Sequence, residues 1–270
     1  MGKRKRGRRA DVIRDALRDT SLPSVHIVPV EDQELGCADS KFGGAFYLPE
    51  GGQVPVWGDG QEMEFLAQIR FSQMPPLMGF PRKGLLQFFL CTEESVMEEM
   101  DAGELSSEGH FRLVYYPEVS EEETSACEGK VTENRWPMER WNRGMRFERT
   151  EEVATFSPEE TDLGYENAMQ ALTPKLMKEA GYDLSDCPDT DQFFLDFGNW
   201  GCKVGGHPAI RQGDVRREEE AYGAYTTLLF QMDLTLPGEL EGDTFAFFIK
   251  PEDLAAGNFE DVLLYWHNTY

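Results

Sequence analysis

The chain has 270 residues, which is enough to bury a sizeable core as one large domain or two small ones. Apolar residues make up 40% and aromatic residues 12%, so disorder is excluded for most of the length. No apolar run approaches the roughly 20 residues that span a bilayer, so we expect no membrane partner. The formal net charge of −24 disfavours nucleic acid and favours a basic partner.

The N-terminus departs from this acidic character. Residues 1–20 contain eight Lys or Arg residues against three Asp residues. No apolar segment follows the basic run, so we do not interpret it as a secretory signal. Residues 1–24 are predicted to form a basic arm with a short amphipathic helix near residues 10–18, where apolar residues recur at helical spacing.

After the arm, residues 25–30 are β-branched and proline-containing, which predicts a strand. Farther along, Glu121–Glu123 lie at the centre of a polar stretch predicted to be a loop. Residues 161–181 carry a helical stripe that we expect to break near Pro174 and to stop at Gly181. The apolar runs at residues 228–230 and 245–249 have the length of buried strands, and Pro251 begins a predicted helix.

Three segments recur in the same order about 160 positions apart, which predicts duplication of one unit. The first is a K-x-G-G turn at residues 41–44 and again at 203–206. The second is a strand containing glutamine, at residues 66–70 and 229–233. The third is a Phe-Phe strand followed by an acidic helix start, at residues 88–94 and 247–253.

In these segments the chain resembles the YwqG-like bacterial family, a domain of unknown function also called DUF1963. The resemblance rests on Ser-Lys-Phe-Gly-Gly at 40–44, Leu-Pro-Glu-Gly at 48–51, Phe-Leu-Ala-Gln-Ile at 65–69 and Gly-Leu-Leu-Gln-Phe-Phe at 84–89. The second half adds residues 203–208 with Gln212, Asp214 and Arg216, and Leu-Leu-Tyr-Trp at 263–266. It implies a bacterial, cytoplasmic α+β protein with two related halves, and it implies no activity.

The domain prediction follows from the repeat and the resemblance. Residues 25–270 form the YwqG-like domain, with repeat halves at about 25–117 and 193–270 and a helical or loop insert at about 118–192. The predicted fold class is α+β, a pseudo-two-fold duplicated unit with two antiparallel-rich sheets and flanking helices.

The two glycine turns are the first candidate site. Glycine N–H groups can hold a phosphate, and a lysine in each turn supplies charge. Because neither turn matches a nucleotide-binding motif, we favour a structural interpretation. The candidate ligand-binding residues here are Lys41, Gly43, Gly44, Lys203, Gly205 and Gly206.

A second candidate lies just after the second turn. Gln212, Asp214 and Arg216 could form a polar rim, although a hydrogen-bonded loop explains them as well. The four histidines have no metal-like spacing, so we predict no metal, and we predict no cofactor. We name no catalytic residue because the chain has no G-x-S-x-G motif, while a triad of residues distant in sequence stays open. Five cysteines without a C-x-x-C motif favour reduced thiols and a cytoplasmic location.

The sequence favours a non-enzymatic protein-binding role, such as an immunity or partner-neutralising protein that binds a basic partner. Immunity is suggested by the association of similar proteins with secreted toxins. The alternative is a small-molecule or phosphate-binding protein, or an enzyme, with its site near the two K-x-G-G turns. The sequence defines no oligomeric state.

Overall fold

The computed structural model describes residues 11–31, 34–58, 60–92, 110–119, 142–154, 174–183, 193, 196–210, 214–234 and 243–267. In that part of the chain, strands outnumber helices and contain most of the residues in regular secondary structure. The strands are β1 (Leu22–Val30), β2 (Lys41–Phe42), β3 (Val56–Trp57), β4 (Gln61–Glu62), β5 (Glu64–Arg70), β6 (Leu85–Leu90), β7 (Phe111–Tyr116), β8 (Arg143–Glu152), β9 (Cys202–Gly205), β10 (Thr227–Asp233), β11 (Thr244–Ile249) and β12 (Val262–His267).

The helices of the described residues are short. They are α1 (11–16), α2 (Pro174–Ala180), α3 (Val215–Glu218) and α4 (Pro251–Ala256). Single 3-10 turns lie at Arg18–Thr20, Phe71–Gln73 and Glu220–Tyr222. The expected helices at the N-terminal arm and after Pro251 are present, and α2 begins at the proline where we expected a break. The rest of the stripe at residues 161–173 and the acidic helix start at residues 93–94 lie outside the described residues.

Ten of the strands form one sheet, in the order β12-β11-β10-β9-β1-β8-β2-β5-β6-β7, and β3 pairs with β4 separately. The pairs whose register is described are antiparallel. The predicted α+β fold with two sheets and flanking helices, built from a duplicated unit, is therefore wrong. Turn signals predicted antiparallel neighbours, but they do not show whether distant strands share one sheet. β8, which lies between β1 and β2 in the order, belongs to a stretch that we had interpreted as loop and helix.

The chain divides into two compact units, each made of separate chain segments. Unit 1 comprises Met1–His26, Arg149–Phe248 and Tyr265–Tyr270, and unit 2 comprises Ile27–Glu148 and Ile249–Leu264. In unit 1, Ile13 and Leu17 of the arm are almost fully buried in a cluster with Phe193 and Phe197. In unit 2, the rings of Phe46 and Phe65 stack with centroids 4.6 Å apart.

The central strands are apolar because they are covered on both faces. Every residue of β6 and of β11 is buried, which explains why both read as continuous apolar runs rather than alternating ones. Each fully buried Phe contributes about 1.5–3 kcal/mol to the free energy of unfolding relative to an exposed one, so these strands stabilise the part of the sheet that carries the polar turns.

Two further observations bear on the expected location. Cys37 is disulfide-bonded, whereas Cys91 and Cys202 are buried and form no disulfide. The expectation of reduced thiols throughout is therefore wrong for Cys37, because sequence spacing does not reveal which cysteines meet across a fold. Among the described residues, no helix is long and apolar enough to cross a membrane.

Candidate functional site

Each K-x-G-G segment leaves a short strand and turns back through two glycines. Gly43 and Gly44 have φ of 56° and 69°, and Gly205 and Gly206 have φ of 69° and 74°. Residues with a Cβ rarely adopt such angles, so the glycines are required by the backbone path. The lysine at the start of each turn pairs in the sheet with a glutamine, Lys41 with Gln68 and Lys203 with Gln231.

The paired glutamines hold the two turns in the same way. The Gln68 side chain donates to the carbonyls of Cys37 and Asp39, both at 2.7 Å, and accepts from the Tyr47 N–H at 3.1 Å. Gln231 makes the matching contacts with residues at the same offsets from its lysine, Asn199, Gly201 and Ala209, at 3.2, 2.8 and 2.8 Å. Both glutamines are fully buried, so these bonds satisfy amide groups that water cannot reach.

The Lys41 ammonium is buried against backbone oxygens. Its Nζ donates to the carbonyl of Gly36 at 2.5 Å and to the carbonyl of Ala45 at 2.9 Å. Burial lowers the pKa of Lys41 to about 8, while the nearby Asp39 charge acts in the opposite direction. Within the described ranges, no carboxylate is hydrogen-bonded to this ammonium.

The Lys203 ammonium has the same kind of cage and a carboxylate as well. It donates to the carbonyls of Asn199 at 2.7 Å and His207 at 2.5 Å. It also donates to both carboxylate oxygens of Glu152, at 3.1 and 3.0 Å. The Lys203 side chain has no exposed area and that of Glu152 only 5%, so this is a buried ion pair.

Glu152 connects this ion pair to a partly exposed histidine. Its Oε1 contacts Nε2 of His26, and its Oε2 accepts the backbone N–H of His207 at 3.0 Å. Burial raises the pKa of Glu152, but Lys203 and His26 outweigh that effect, so the pKa lies below its usual value. The His26 side chain is 38% exposed. Its Nδ1 has no hydrogen-bond partner among the described residues.

Two backbone features make room for this arrangement. A Cβ on Gly206 would lie 2.2 Å from Glu152 Oε2, so glycine lets the carboxylate approach the turn. Asn199 has a φ of 52°, a left-handed conformation that is uncommon outside glycine. In this conformation its carbonyl accepts from both Lys203 and Gln231.

A pocket of about 230 Å³ in unit 1 opens beside the His26–Glu152 pair. Both residues line it, together with Arg14 from α1 and with Asp196, Phe197 and Trp200. A groove of about 510 Å³ in unit 2 is lined by Asp39, Ser40, Gln73 and Met145 among others. Neither lysine of the two turns lines either cavity.

Two of the remaining predicted site residues, Asp214 and Arg216, contact each other. Asp214 caps α3 by accepting the Arg216 N–H at 3.1 Å, and its carboxylate binds the Arg216 guanidinium at 2.8 and 2.6 Å. That guanidinium lies 4.0 Å from the ring centroid of Phe248. Both charged side chains are 2% exposed, which favours the structural interpretation over a pocket rim. Gln212 lies outside the described residues.

Sequence reasoning missed the residues that line the unit 1 pocket. Glu152 is the last residue of β8, in a stretch interpreted as insert, and it lies 126 positions from His26. The only signal was the alternation of Met145 and Phe147 with charged residues, which is typical of a half-buried strand. Nothing in the sequence pairs a lone histidine with a distant glutamate.

The fold and the polar site define a mainly β-sheet protein with two lysine-centred glycine turns. The family model described as "Domain of unknown function (DUF1963)" matches residues 40–267. The chain therefore belongs to the DUF1963 family, and the narrower YwqG-like assignment stays a prediction. No protein among the curated ones matches the chain.

Proposed function

We propose that the protein binds a small polar molecule in the unit 1 pocket, in contact with His26. The observation that carries the proposal is the Lys203–Glu152–His26 chain of contacts. In the part of the chain that the structure describes, Lys41 is held by backbone carbonyls and by no carboxylate, so a carboxylate like Glu152 is not what keeps a lysine in this kind of turn. What Glu152 adds is a fixed partner for the imidazole at the pocket wall.

A carboxylate on one ring nitrogen sets the tautomer and the orientation of a histidine. With Nε2 facing Glu152, Nδ1 is the nitrogen with spare hydrogen-bonding capacity toward a ligand. Burying an ion pair rarely adds stability compared with apolar residues of similar size, so a role in function accounts for it better than a role in folding. The same pair could act as a general base, but we assign no reaction because no substrate is known.

The test is a thermal-shift screen of a metabolite panel on the whole chain. A compound at a hundred times its Kd stabilises the fold by about 2.7 kcal/mol, which is a shift of several degrees for a protein of this size. We expect the shift in wild type and in Val28→Ala, a substitution on the same strand at a residue outside the pocket lining. We expect it to vanish in His26→Ala.

A shift that survives in His26→Ala would place the ligand elsewhere. A panel that shifts nothing would count against small-molecule binding as a whole. Neither outcome would bear on the description of the fold. The unliganded melting temperature of each variant, measured in the same run, shows whether that variant folds.

A second candidate is the protein-binding role, for instance immunity or neutralisation of a partner, and the net charge of −24 favours it. An acidic surface speeds association with a basic partner, and salt slows it. Capture from a cytoplasmic extract of the bacterial host, which is where we propose the protein works, should recover one basic protein at low salt. The association rate of the purified pair should fall as salt is added; a rate insensitive to salt would contradict this candidate.

Phosphate binding at the K-x-G-G turns has less support. Both ammonium groups already donate to backbone carbonyls four or five residues away, and Lys203 also donates to Glu152, at distances between 2.5 and 3.1 Å. A ligand outside the turn would have to compete with those bonds. Binding there stays a prediction, and Lys41→Ala and Lys203→Ala would remove it.

A further inference from the structure

The wall of the unit 1 pocket carries a histidine nitrogen that accepts hydrogen bonds. The pKa of Glu152 lies below its usual value, so its carboxylate is ionised and has no proton to donate. Nε2 of His26 therefore donates to Glu152, and a neutral imidazole then keeps its lone pair on Nδ1. A ligand that contacts Nδ1 has to bring an N–H or O–H donor.

Two of the charged residues on the pocket wall are offset by partners of opposite charge. Arg14 forms an ion pair with Asp11 at 4.0 Å. Glu152 is paired with Lys203, whose side chain has no exposed area. These two wall residues therefore add little net charge to the pocket.

Glu151 is the lining carboxylate that can attract a further cation. It has no ion-pair partner among the described residues, and its hydrogen bond from the Ser21 hydroxyl is long, at 3.4 Å. Asp196 also lines the pocket, but it accepts the Tyr182 hydroxyl at 2.8 Å and has a further interaction within the fold, so we assign it no contact with a ligand. An unbalanced carboxylate together with an acceptor nitrogen favours a cation that carries N–H donors.

The apolar part of the wall includes an indole ring. Trp200 lines the pocket and lies so close to Gly198 that a Cβ there would meet the indole at 2.0 Å. A cation over the face of a tryptophan ring is attracted to it. The volume of about 230 Å³ is the room of about eight water molecules, which suits a small molecule rather than a nucleotide or a peptide.

Resting on the proposed function, we infer that the pocket binds a small primary amine in its ammonium form. The ammonium donates to Nδ1 of His26 and is attracted by Glu151, and the carbon skeleton packs on the indole of Trp200. An anion would place its own acceptor atoms against an acceptor nitrogen. A neutral alcohol could donate to Nδ1 but would gain nothing from the charge.

The experiment measures binding to the whole chain by calorimetry at about pH 8.5, with primary amines from butylamine to 2-phenylethylamine. At that pH an alkylamine keeps its proton, as lysine does with a pKa of about 10.4, whereas an ordinary histidine is neutral. Each amine is compared with its N,N,N-trimethylammonium analogue, which has the charge and no donor, and with its alcohol, which has the donor and no charge. We expect at least one amine to bind, and both analogues to bind about fivefold or more weakly.

Two variants assign the donor and the charge to separate residues. In His26→Phe, which keeps a ring but loses the acceptor, the amine should lose its advantage over the trimethylammonium analogue. In Glu151→Gln, the advantage of the amine over the alcohol should shrink by about two- to fivefold, as for an exposed charge. Glu260→Gln, the same change at an exposed residue outside the pocket lining, is the control and should leave both advantages unchanged.

The outcomes separate the inference from the proposed function. If either analogue binds as tightly as its amine, or if only compounds of another class bind with a loss in His26→Ala, the amine is wrong and the pocket stands. If no compound of either panel binds, both are wrong. If Glu260→Gln has the same effect as Glu151→Gln, the part assigned to Glu151 is overturned. Melting temperatures without ligand show whether each variant folds, and His26→Ala takes the place of His26→Phe if the latter does not.

Discussion

Around Lys41 and around Lys203 the backbone forms similar cages, yet among the residues that the structure describes Lys203 alone of the two donates to a carboxylate. The difference lies in the residue beside the second glycine of each turn. A Cβ on Gly44 would meet the amide of Asn142, whereas a Cβ on Gly206 would meet the carboxylate of Glu152. The comparison teaches that this turn can hold a buried lysine by itself. Glu152, the carboxylate at the second turn, is therefore the residue that points to function, because it links Lys203 to His26.

The largest expected effect concerns the two lysines. Lys203→Met leaves Glu152 buried with only His26 opposite its charge, and breaking a buried pair in this way costs about 3–5 kcal/mol. Lys41→Met leaves no orphaned carboxylate, so we expect about 1–2 kcal/mol from unsatisfied carbonyls. Urea unfolding of both variants measures the difference; equal losses would break the comparison.

The pH dependence of stability should come next. The pKa of Lys41 is about 8 in the folded protein and near 10.5 when exposed. The unfolded chain therefore binds more protons between these values, so the free energy of unfolding rises as pH rises from about 8 to about 10.5, by up to about 3 kcal/mol.

The control is Lys41→Met, which has no group to titrate. The difference in unfolding free energy between wild type and this variant should change over that window in favour of wild type. A difference that stays flat from pH 7 to 11 would show that the buried ammonium is not destabilised. At the acid end, Glu152 contributes stability above its ordinary pKa that is lost as the pH falls through its lowered value.

Alanine at the second glycine of each turn tests whether the side chain of Glu152 is fixed in place. Both positions have positive φ, which costs about 1–2 kcal/mol for alanine. Asn142 is exposed and can move away from a new Cβ, but Glu152 is fixed by three partners. We therefore expect Gly206→Ala to lose about 1 kcal/mol more than Gly44→Ala in thermal or urea unfolding. The reverse order would mean that Glu152 is free to shift.

The smallest effect on stability should come from His26→Ala. The ring is 38% exposed and Glu152 keeps Lys203, so we expect a loss of less than about 1 kcal/mol at neutral pH. A loss comparable to that of Lys203→Met would make His26 a structural residue and weaken its assignment to ligand binding. Unfolding curves of His26→Ala recorded beside those of Lys203→Met show whether His26 is a structural residue or is free to serve in ligand binding.

The local elements were readable from the sequence because each carries its own physical signal. The paired glycines predicted turns with positive φ, and the apolar runs predicted the buried strands β10 and β11. Pro251 followed by two acids predicted the first turn of α4. Each of these signals lies within a few residues of the structure that it predicts.

The sheet order and the site were not readable, because they depend on contacts between distant segments. β8 alternates weakly and is rich in charge, so nothing indicated that it lies between β1 and β2. Glu152 looked like one more solvated acid in a strongly acidic chain. Lys41 and Lys203 looked available for a phosphate, since a sequence does not show that a lysine ammonium will donate to backbone carbonyls four or five residues away.

The buried thiols outside disulfides give each unit a reporter of local opening. Burial raises the pKa of Cys202 to about 12, and this residue immediately precedes Lys203 in unit 1. Cys91 is also a buried thiol outside any disulfide, just after β6 in unit 2. Such thiols react with alkylating reagents only when the surrounding strands separate. Labelling rates followed by mass spectrometry would therefore show whether ligand at His26 slows opening at Cys202 alone or at both positions.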